Sequence, residues 1–416
     1  MKNNYDKPWI LIAAYDLSAG NSSEGHIAYS ILNKLLEKYR IIMVTRCNNK
    51  KELLENTDFT NKYSKVYLVG YDLPRWASWW KKGARFYRTY AYFWQMTWPF
   101  VVKKHLLLKR TIKLIHILNF HNDSIPSLAW ILRRPVIWGP INHHEIVPPW
   151  RRTFWPKSTS IKHVLIFFLR RILWRIDFFL RIHIYKSDII LSAGKWVDNR
   201  LGLKKTSKII HRSQLGFNPG IFHMPSKLRR LNQENKIELI IAGRLDWIKG
   251  IDLAIEALAQ LPLYYCLKII GKGPSEQKLR TLAARLGIKN RIVFQPPVSR
   301  NELSDIYANS DVFLFTSAEV AGLVWIEALA CGLPVVAFDG NTEVAAAANY
   351  IPNINLALKG CNRKKQIQNL ARAITKVSKK SQNSSTTRDA LISHYSYGSL
   401  AAIILKAYDE VSKNVN

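Results

Sequence analysis

Two glutamates, Glu319 and Glu327, stand with seven residues between them. Glu319 follows the short apolar run Val312–Phe315, and Glu327 lies in a helical pattern that starts near Gly322. Trp325, Ile326, Ala328 and Leu329 surround Glu327, a setting where an unpaired carboxylate is expensive. A carboxylate kept there can accept hydroxyl hydrogens from a ligand. Between the two, Gly322 and Leu323 place bare backbone N–H groups at a helix start, where donors and dipole together stabilise an anion. A second apolar run, Leu239–Ala242, leads into Gly243, Arg244 and Lys249, two cations flanking a turn. Charge-assisted hydrogen bonds from such a pair to a phosphate are worth roughly 1.5–3 kcal/mol each. A third run, Leu267–Ile270, opens into Gly271, Lys272, Gly273 and Pro274, where close glycines admit a ligand or simply a tight turn. One ligand satisfies carboxylates, cations and N–H groups at once: a diphosphate with a sugar at each end, a nucleotide-sugar.

These loops need strands to hold them. Short β runs alternate with helical patterns along the whole chain, which predicts α/β layers with parallel sheets. Strands are expected at Trp9–Tyr15, Ile41–Thr45, Val66–Val69, Leu114–Leu118, Pro135–Trp138 and Asp188–Ser192. After a break at Gly216–Gly220, a second series follows at Leu239–Ala242, Leu267–Ile270, Ile292–Phe294, Val312–Phe315 and Val335–Phe338. The expected organisation is one Rossmann-like domain over 1–215 and a second, carrying the loops above, over 216–395. A C-terminal helix over 396–416 would pack back on the first. Ligands of open parallel sheets bind at the carboxyl ends of strands, so two doubly wound domains are expected to face a central cleft.

The donor half resembles glycosyltransferase family 4, the retaining group 1 family of the GT-B fold. The likeness rests on Gly243, Arg244, Leu245, Lys249 and Gly250, on Gly271 to Pro274, on Arg291 to Phe294, and on Glu319 with Glu327. It covers about residues 237–345. The resemblance implies that Arg244 and Lys249 bind the donor diphosphate, with Gly322 and Leu323 backbone. It gives Glu327 the ribose hydroxyls and Glu319 those of the transferred sugar, and it has the segment from Ile292 to Val298 line the base pocket. Ala321 departs from the family, which usually has an aromatic residue there. The first half resembles the family more loosely. Gly25 and His26 open a helix as acceptor-side loops do, and His116 and His121 fall in a region that faces the transferred sugar. His143, His144 and Glu145 look like a variant of a glycine-rich acceptor segment. His116, inside an apolar strand, fits either a cleft role or a satisfied place in the core. Five histidines in this half match no metal-binding spacing, and no D-x-D motif occurs. Catalysis by Glu319, Arg244, Lys249 and His121 is therefore expected without metal or other cofactor. Other readings are a nucleotide-sugar epimerase, a phosphorylase, or a non-enzymatic binder of anionic membrane or nucleic acid.

Charge suggests the partner. The 416 residues hold 62 Lys and Arg against 29 Asp and Glu, net +33, which points to a polyanionic surface. Residues 75–186 concentrate it: 21 Lys and Arg face only Asp123, Glu145 and Asp177, and most of the 14 tryptophans lie there. Residues 301–350 have seven acids and no Lys or Arg. Aromatics mixed with cations suit a lipid headgroup layer, especially around Trp76–Trp98 and Ile161–Ile184. The same pattern fits buried helices with snorkelling cations. The four cysteines form no C-x-x-C pair, no run reaches 18 apolar residues, and no signal peptide is evident. The expectation is a cytoplasmic protein, peripheral at the inner face of the plasma membrane, acting on a saccharide or lipid-linked saccharide in surface-polysaccharide synthesis, with no specific nucleic-acid partner.

Overall fold

The computed structural model describes residues 7–18, 23–83, 85–105, 112–118, 122–143, 145–203, 208–222, 224, 236–340, 342–378 and 384–413. The chain divides into two compact units. The first comprises residues 1–143, 169–214 and 397–416, the second 144–168 and 215–396. Residues 144–168 thus join the second unit, where the sequence reading had placed them in the first.

The first unit holds a seven-stranded sheet of β1 (Trp9–Ala13), β2 (Arg40–Thr45), β3 (Val66–Gly70), β4 (Ile112–Ile117), β5 (Val136–Ile141), β6 (Ile189–Ser192) and β7 (Lys208–His211). Its order is β3-β2-β1-β4-β5-β6-β7, every pairing parallel. The second unit holds β8 (Ile237–Ala242), β9 (Tyr265–Ile270), β10 (Ile292–Gln295), β11 (Val312–Phe315), β12 (Val335–Phe338) and β13 (Ile354–Ala357), in the order β10-β9-β8-β11-β12-β13, again all parallel. Both sheets are doubly wound. Helices cover both faces of a parallel sheet, so its central strands read as continuous aliphatic runs. Ile10 to Ala13 and Val335 to Ala337 are completely buried, and alternate residues of β1 feed two different core clusters. Lys208–His211 and Ile354–Ala357, not expected as strands, are the outermost strands at one end of each sheet.

The helix Tyr397–Lys413 belongs to the first unit. Its Leu400, Ala401, Ile404, Ala407, Tyr408 and Val411 are buried in one cluster with Ile10, Ile12 and the inner face of helix Ser23–Lys38. One of its side chains settles the place of His116. The His116 Nε2–H donates to the Gly139 carbonyl at 2.8 Å, so Nδ1 accepts from the Tyr408 hydroxyl at 2.7 Å. The ring is completely buried, and burial lowers its pKa to about 4. His116 is therefore a neutral, fully bonded core residue, and the expected acceptor-side role falls. Replacing Tyr408 with Phe leaves a buried ring nitrogen without its donor, a cost of about 1–3 kcal/mol. Urea unfolding followed by circular dichroism is expected to show that loss in the first unit.

Candidate functional site

In the second sheet the chain moves from β8 outward to β9 and β10, then returns to lay β11 on the other side of β8. Such a reversal leaves a crevice outside the carboxyl ends of the two central strands. The loops that follow β8 and β11 meet there. Lys249 Nζ contacts Glu319 Oε2 at 2.5 Å, each side chain about one-fifth exposed. The Thr316 hydroxyl donates to the Lys249 carbonyl at 2.9 Å, and the Ala318 N–H to the Ile248 carbonyl at 2.9 Å. Arg244 stands beside them, its Nη2 2.6 Å from Asp246 Oδ2 and its side chain 71% exposed. The cluster offers two cations and two carboxylates on loops bound to each other through backbone.

Glycines make that binding possible. Gly243 and Gly271 lie at positive φ, 138° and 143°. A Cβ at Gly271 would overlap the Gly243 carbonyl oxygen, and one at Gly273 the Leu245 carbonyl oxygen. With no side chain between them, Leu245 N–H reaches the Lys272 carbonyl at 2.9 Å and the Ser275 hydroxyl the Leu245 carbonyl at 2.7 Å. The close approach that Gly271 and Gly273 permit is loop on loop. It holds the backbone carrying Arg244.

Glu327 sits in the short helix Val324–Ala330, 7% exposed. Burial pushes its carboxyl up to about 7, with Arg300 pulling the other way. The Tyr307 hydroxyl nearby is buried without a partner among the described residues. Leu323 caps the helix with no side-chain acceptor for its first N–H groups, and Gly322 lies close against the Phe315 ring. Leu323, Val324 and Val298 pack on the same buried cluster as Trp325 and Tyr307.

In the first unit, Asp123 and His143 from loops after β4 and β5 meet Arg200 of the helix Lys195–Leu201 that follows β6. Arg200 Nη1 donates to His143 Nε2 at 2.7 Å, leaving the Nδ1–H of His143 to face Asp123 Oδ2 at 3.6 Å. Arg200 Nε is 3.2 Å from the same oxygen. Ser124 Oγ donates to Asp123 Oδ1 at 3.1 Å and accepts from Arg200 Nη2 at 3.2 Å. Asp123 is 1% exposed, and burial raises its carboxyl to about 6 against the pull of Arg200. Both ring nitrogens of His143 are engaged in this cluster. Asp123 and Arg200 were not singled out from the sequence; an isolated acid in a strongly basic stretch was the available signal. Gly25 is buried in the helix Ser23–Lys38, and the adjacent His26 stacks on Tyr29 at 6.3 Å and meets the edge of Tyr397 at 5.7 Å. His121 and His144 lie outside the described residues. Glu145 is exposed and belongs to the second unit. Among the described residues no three His, Cys, Asp or Glu side chains converge as metal ligands would.

The basic, aromatic stretch divides in two. Tyr90, Trp94 and Trp98 of the helix Tyr87–His105 are core residues. Trp76 and Trp79 are 81% and 76% exposed among Arg75, Lys81 and Lys82. No residue of the helix Lys157–Ile176 is buried, and Ile161, Leu165, Phe168, Ile172 and Ile176, on one helical face, all stand exposed. The Tyr92 hydroxyl donates to Asp177 Oδ2 at 2.9 Å while Oδ1 caps the next helix through Leu180 N–H at 3.0 Å. Both carboxylate oxygens of Asp177 are thus engaged internally. No helix among the described residues is long and apolar enough to cross a membrane.

Comparisons with known proteins give these features a context. Residues 226–392 match the family of group 1 glycosyl transferases. A D-inositol 3-phosphate glycosyltransferase of Xylanimonas cellulosilytica is 38% identical over 104 residues, 24% of this chain and 25% of that relative. The chain therefore spans about a quarter of the length of this relative. Among solved structures, sucrose-phosphate synthase from Thermosynechococcus elongatus has a TM-score of 0.63 at 16% identity, covering 97% of this chain and 99% of that one. Anabaena HepE in complex with UDP and glucose has a TM-score of 0.59 at 17% identity, covering 97% and 100%. At such identity the likeness is one of fold, and the fold is GT-B.

The raised carboxyl of Glu327 has a measurable sign. Its folded pKa, about 7, lies above the ordinary 4.5, so the folded state holds the proton more tightly. Its contribution is full below about pH 4.5 and is lost as pH rises through about 7, roughly 3 kcal/mol in all. Glu327→Gln is expected to flatten that slope in urea unfolding measured between pH 5 and pH 8.

Proposed function

With residues 226–392 matching the family of group 1 glycosyl transferases, we propose that this protein moves a hexosyl unit from a nucleotide-sugar to a saccharide acceptor with retention at the anomeric carbon. The observation that carries this reading is the contact of Lys249 with Glu319 at the crevice between β8 and β11, beside Arg244. Arg244, Lys249 and the Gly322 and Leu323 N–H groups stabilise the nucleoside diphosphate as it departs, which is preorganised electrostatic catalysis needing no metal. Glu319 accepts hydroxyl hydrogens of the transferred sugar, and Glu327 those of the ribose. The acceptor hydroxyl attacks from the face the diphosphate leaves. Its proton passes to the departing phosphate oxygen, one anomeric C–O bond breaks and another forms. Anabaena HepE, with UDP and glucose bound, supports a nucleotide-sugar donor here.

The acceptor is a lipid-linked saccharide met at an anionic membrane, at the inner face of the plasma membrane, in surface-polysaccharide or lipopolysaccharide synthesis. Exposed Trp76 and Trp79 and the outward apolar face of helix Lys157–Ile176, with Arg171 and Arg175 flanking it, support this part. Each cation near anionic lipid contributes about 1 kcal/mol.

Calorimetry with UDP-, GDP- and ADP-sugars tests the donor site. One nucleotide class is expected to bind, and Arg244→Ala or Glu327→Ala to weaken it about tenfold or more. Affinity unchanged in both variants would remove the donor site assigned here. Co-sedimentation with phosphatidylglycerol vesicles tests the membrane part: reversing the charge of Arg170, Arg171, Arg175 and Arg181 is expected to release the protein, and undiminished binding would overturn it.

A further inference from the structure

Residues 144–168 follow β5 in the chain and belong to the second unit. The stretch that opens them is held stiff. Pro148 and Pro149 fix two backbone angles at the head of the turn Pro149–Arg151. Arg152 then ties the stretch to itself: Nε donates to the Val147 carbonyl at 2.9 Å and Nη1 to the Ser160 hydroxyl at 2.6 Å. Val147 N–H donates to His163 Nε2 at 3.1 Å, and the Trp155 and His163 rings meet edge to face at 5.3 Å. Val147, Arg152 and Trp155 are thus fastened to the start of the helix Lys157–Ile176. Arg151, Thr153 and Phe154 reach elsewhere.

They reach the two loops that carry the clamp of Lys249 and Glu319, with Arg244 beside it. Arg151 Nη2 donates to the Thr316 carbonyl, just before Glu319 in the chain, and its guanidinium lies over the Phe338 ring at 4.9 Å. Thr316 also holds Lys249, through the bond from its hydroxyl to the Lys249 carbonyl. Gly250 completes this meeting point: a Cβ there would overlap the Thr316 carbonyl oxygen and stand 3.3 Å from Arg151 Nη2. Phe154 takes the other loop. Its ring packs on Trp247, of the turn Trp247–Lys249, with centroids 6.0 Å apart, and Lys278 lies over both rings at 4.9 and 5.5 Å. Lys278 Nζ also donates to the Phe154 carbonyl at 2.7 Å. The Thr153 hydroxyl accepts from Arg363 Nη1 at 3.3 Å, and Arg363 pairs at 2.7 Å with Asp252, in the helix Ile251–Leu258 that follows the same turn.

Lys249 and Glu319 stand on loops after different strands, so their contact depends on whatever fixes one loop against the other. Residues 147–156 touch both loops, at residues close in the chain to the charged ones. A guanidinium is a rigid fork, and one bonded to a carbonyl while lying over a ring has a single place to be. Aromatic packing adds a directional contact at Trp247. We propose that residues 147–156 brace the clamp: they set the separation of its two loops, and Arg151 and Phe154 are positioning residues for the nucleotide-sugar. The proposal deepens the transferase reading and rests on it for what the clamp holds, whereas the bracing of the loops stands apart from that reading.

Hydrogen exchange of the full chain, read by mass spectrometry, would follow residues 243–250 and 316–323 in wild type, Arg151→Met, Arg151→Lys and Phe154→Ala. Strands β12 and β13 serve as the reference. Arg151→Met and Phe154→Ala are expected to speed exchange in both loops about tenfold and to leave the reference strands at wild-type rates. Arg151→Lys keeps a donor for the Thr316 carbonyl and is expected to restore most of the protection. Calorimetry with UDP, GDP and ADP is expected to follow the same order, the two disruptive variants losing about tenfold in nucleotide affinity. A general packing role gives a different pattern: faster exchange across the whole second sheet, a lower melting temperature and no rescue by Lys. That pattern overturns the brace, as does wild-type exchange in both loops, or unchanged nucleotide affinity once the loops are loosened. Should Arg151→Met fail to fold, Phe154→Ala, at a half-buried ring, decides alone. Should wild type bind no nucleotide, the transferase reading fails and the exchange pattern still decides the brace.

Discussion

Two loops at the carboxyl edge of the second sheet pass so close that no side chain can stand between them. The Gly271 and Gly273 backbones lie directly against the Gly243 and Leu245 carbonyls. Everything at the crevice inherits that spacing. It sets where the chain leaves β8, hence where Arg244 begins and where the turn to Lys249 can run. A second close approach, Gly250 against the Thr316 carbonyl, ties that turn to the loop after β11. The polar groups are thus aimed by backbone contacts, which carry no rotamer freedom to lose when a ligand arrives.

The two glutamates show how environment separates chemically equal groups. Glu319 has a lysine at contact distance and some exposure to water; Glu327 has neither. Residues 301–350 contain no Lys or Arg, so the cation for Glu319 has to come from another loop, and Lys249 is supplied from the end of β8. Glu327 has no such contact among the described residues; the pull of Arg300 does not outweigh burial, and its carboxyl is pushed up to about 7. A carboxylate paired before ligand binding and a carboxyl poised at neutrality are different tools, although their spacing in the chain is the same in either case.

Much of this was legible beforehand, and the misses have physical reasons. Central parallel strands announce themselves because both faces are buried, and the glycine, cation and glutamate pattern fell on the loops that meet at the crevice. The outer strand Ile354–Ala357 is only half-buried for most of its length and carries Asn355, so its run looked like loop. His116 could not be resolved from its neighbours, since its partner Tyr408 lies 292 residues away. Arg151 gave no local signal either; it acquires meaning only from the Thr316 backbone that the fold brings to it. The aromatic stretch looked uniform, yet Trp94 and Trp98 are core while Trp76 and Trp79 are surface. In the helix Lys157–Ile176 the apolar stripe was readable, but its outward direction was not, because periodicity identifies a face without saying what it faces.

The chain passes from one unit to the other four times, and its last described helix, Tyr397–Lys413, closes the core of the unit that began at its first strand. During synthesis the strands β1 to β7 emerge early but lack the surface that Leu400, Ile404 and Tyr408 provide. They must wait, incompletely covered, until the whole second unit has been made. A premature stop near residue 396 would therefore spare every residue of the clamp and still deprive the other unit of part of its interior. In this molecule the order of translation and the order of completion run in opposite directions.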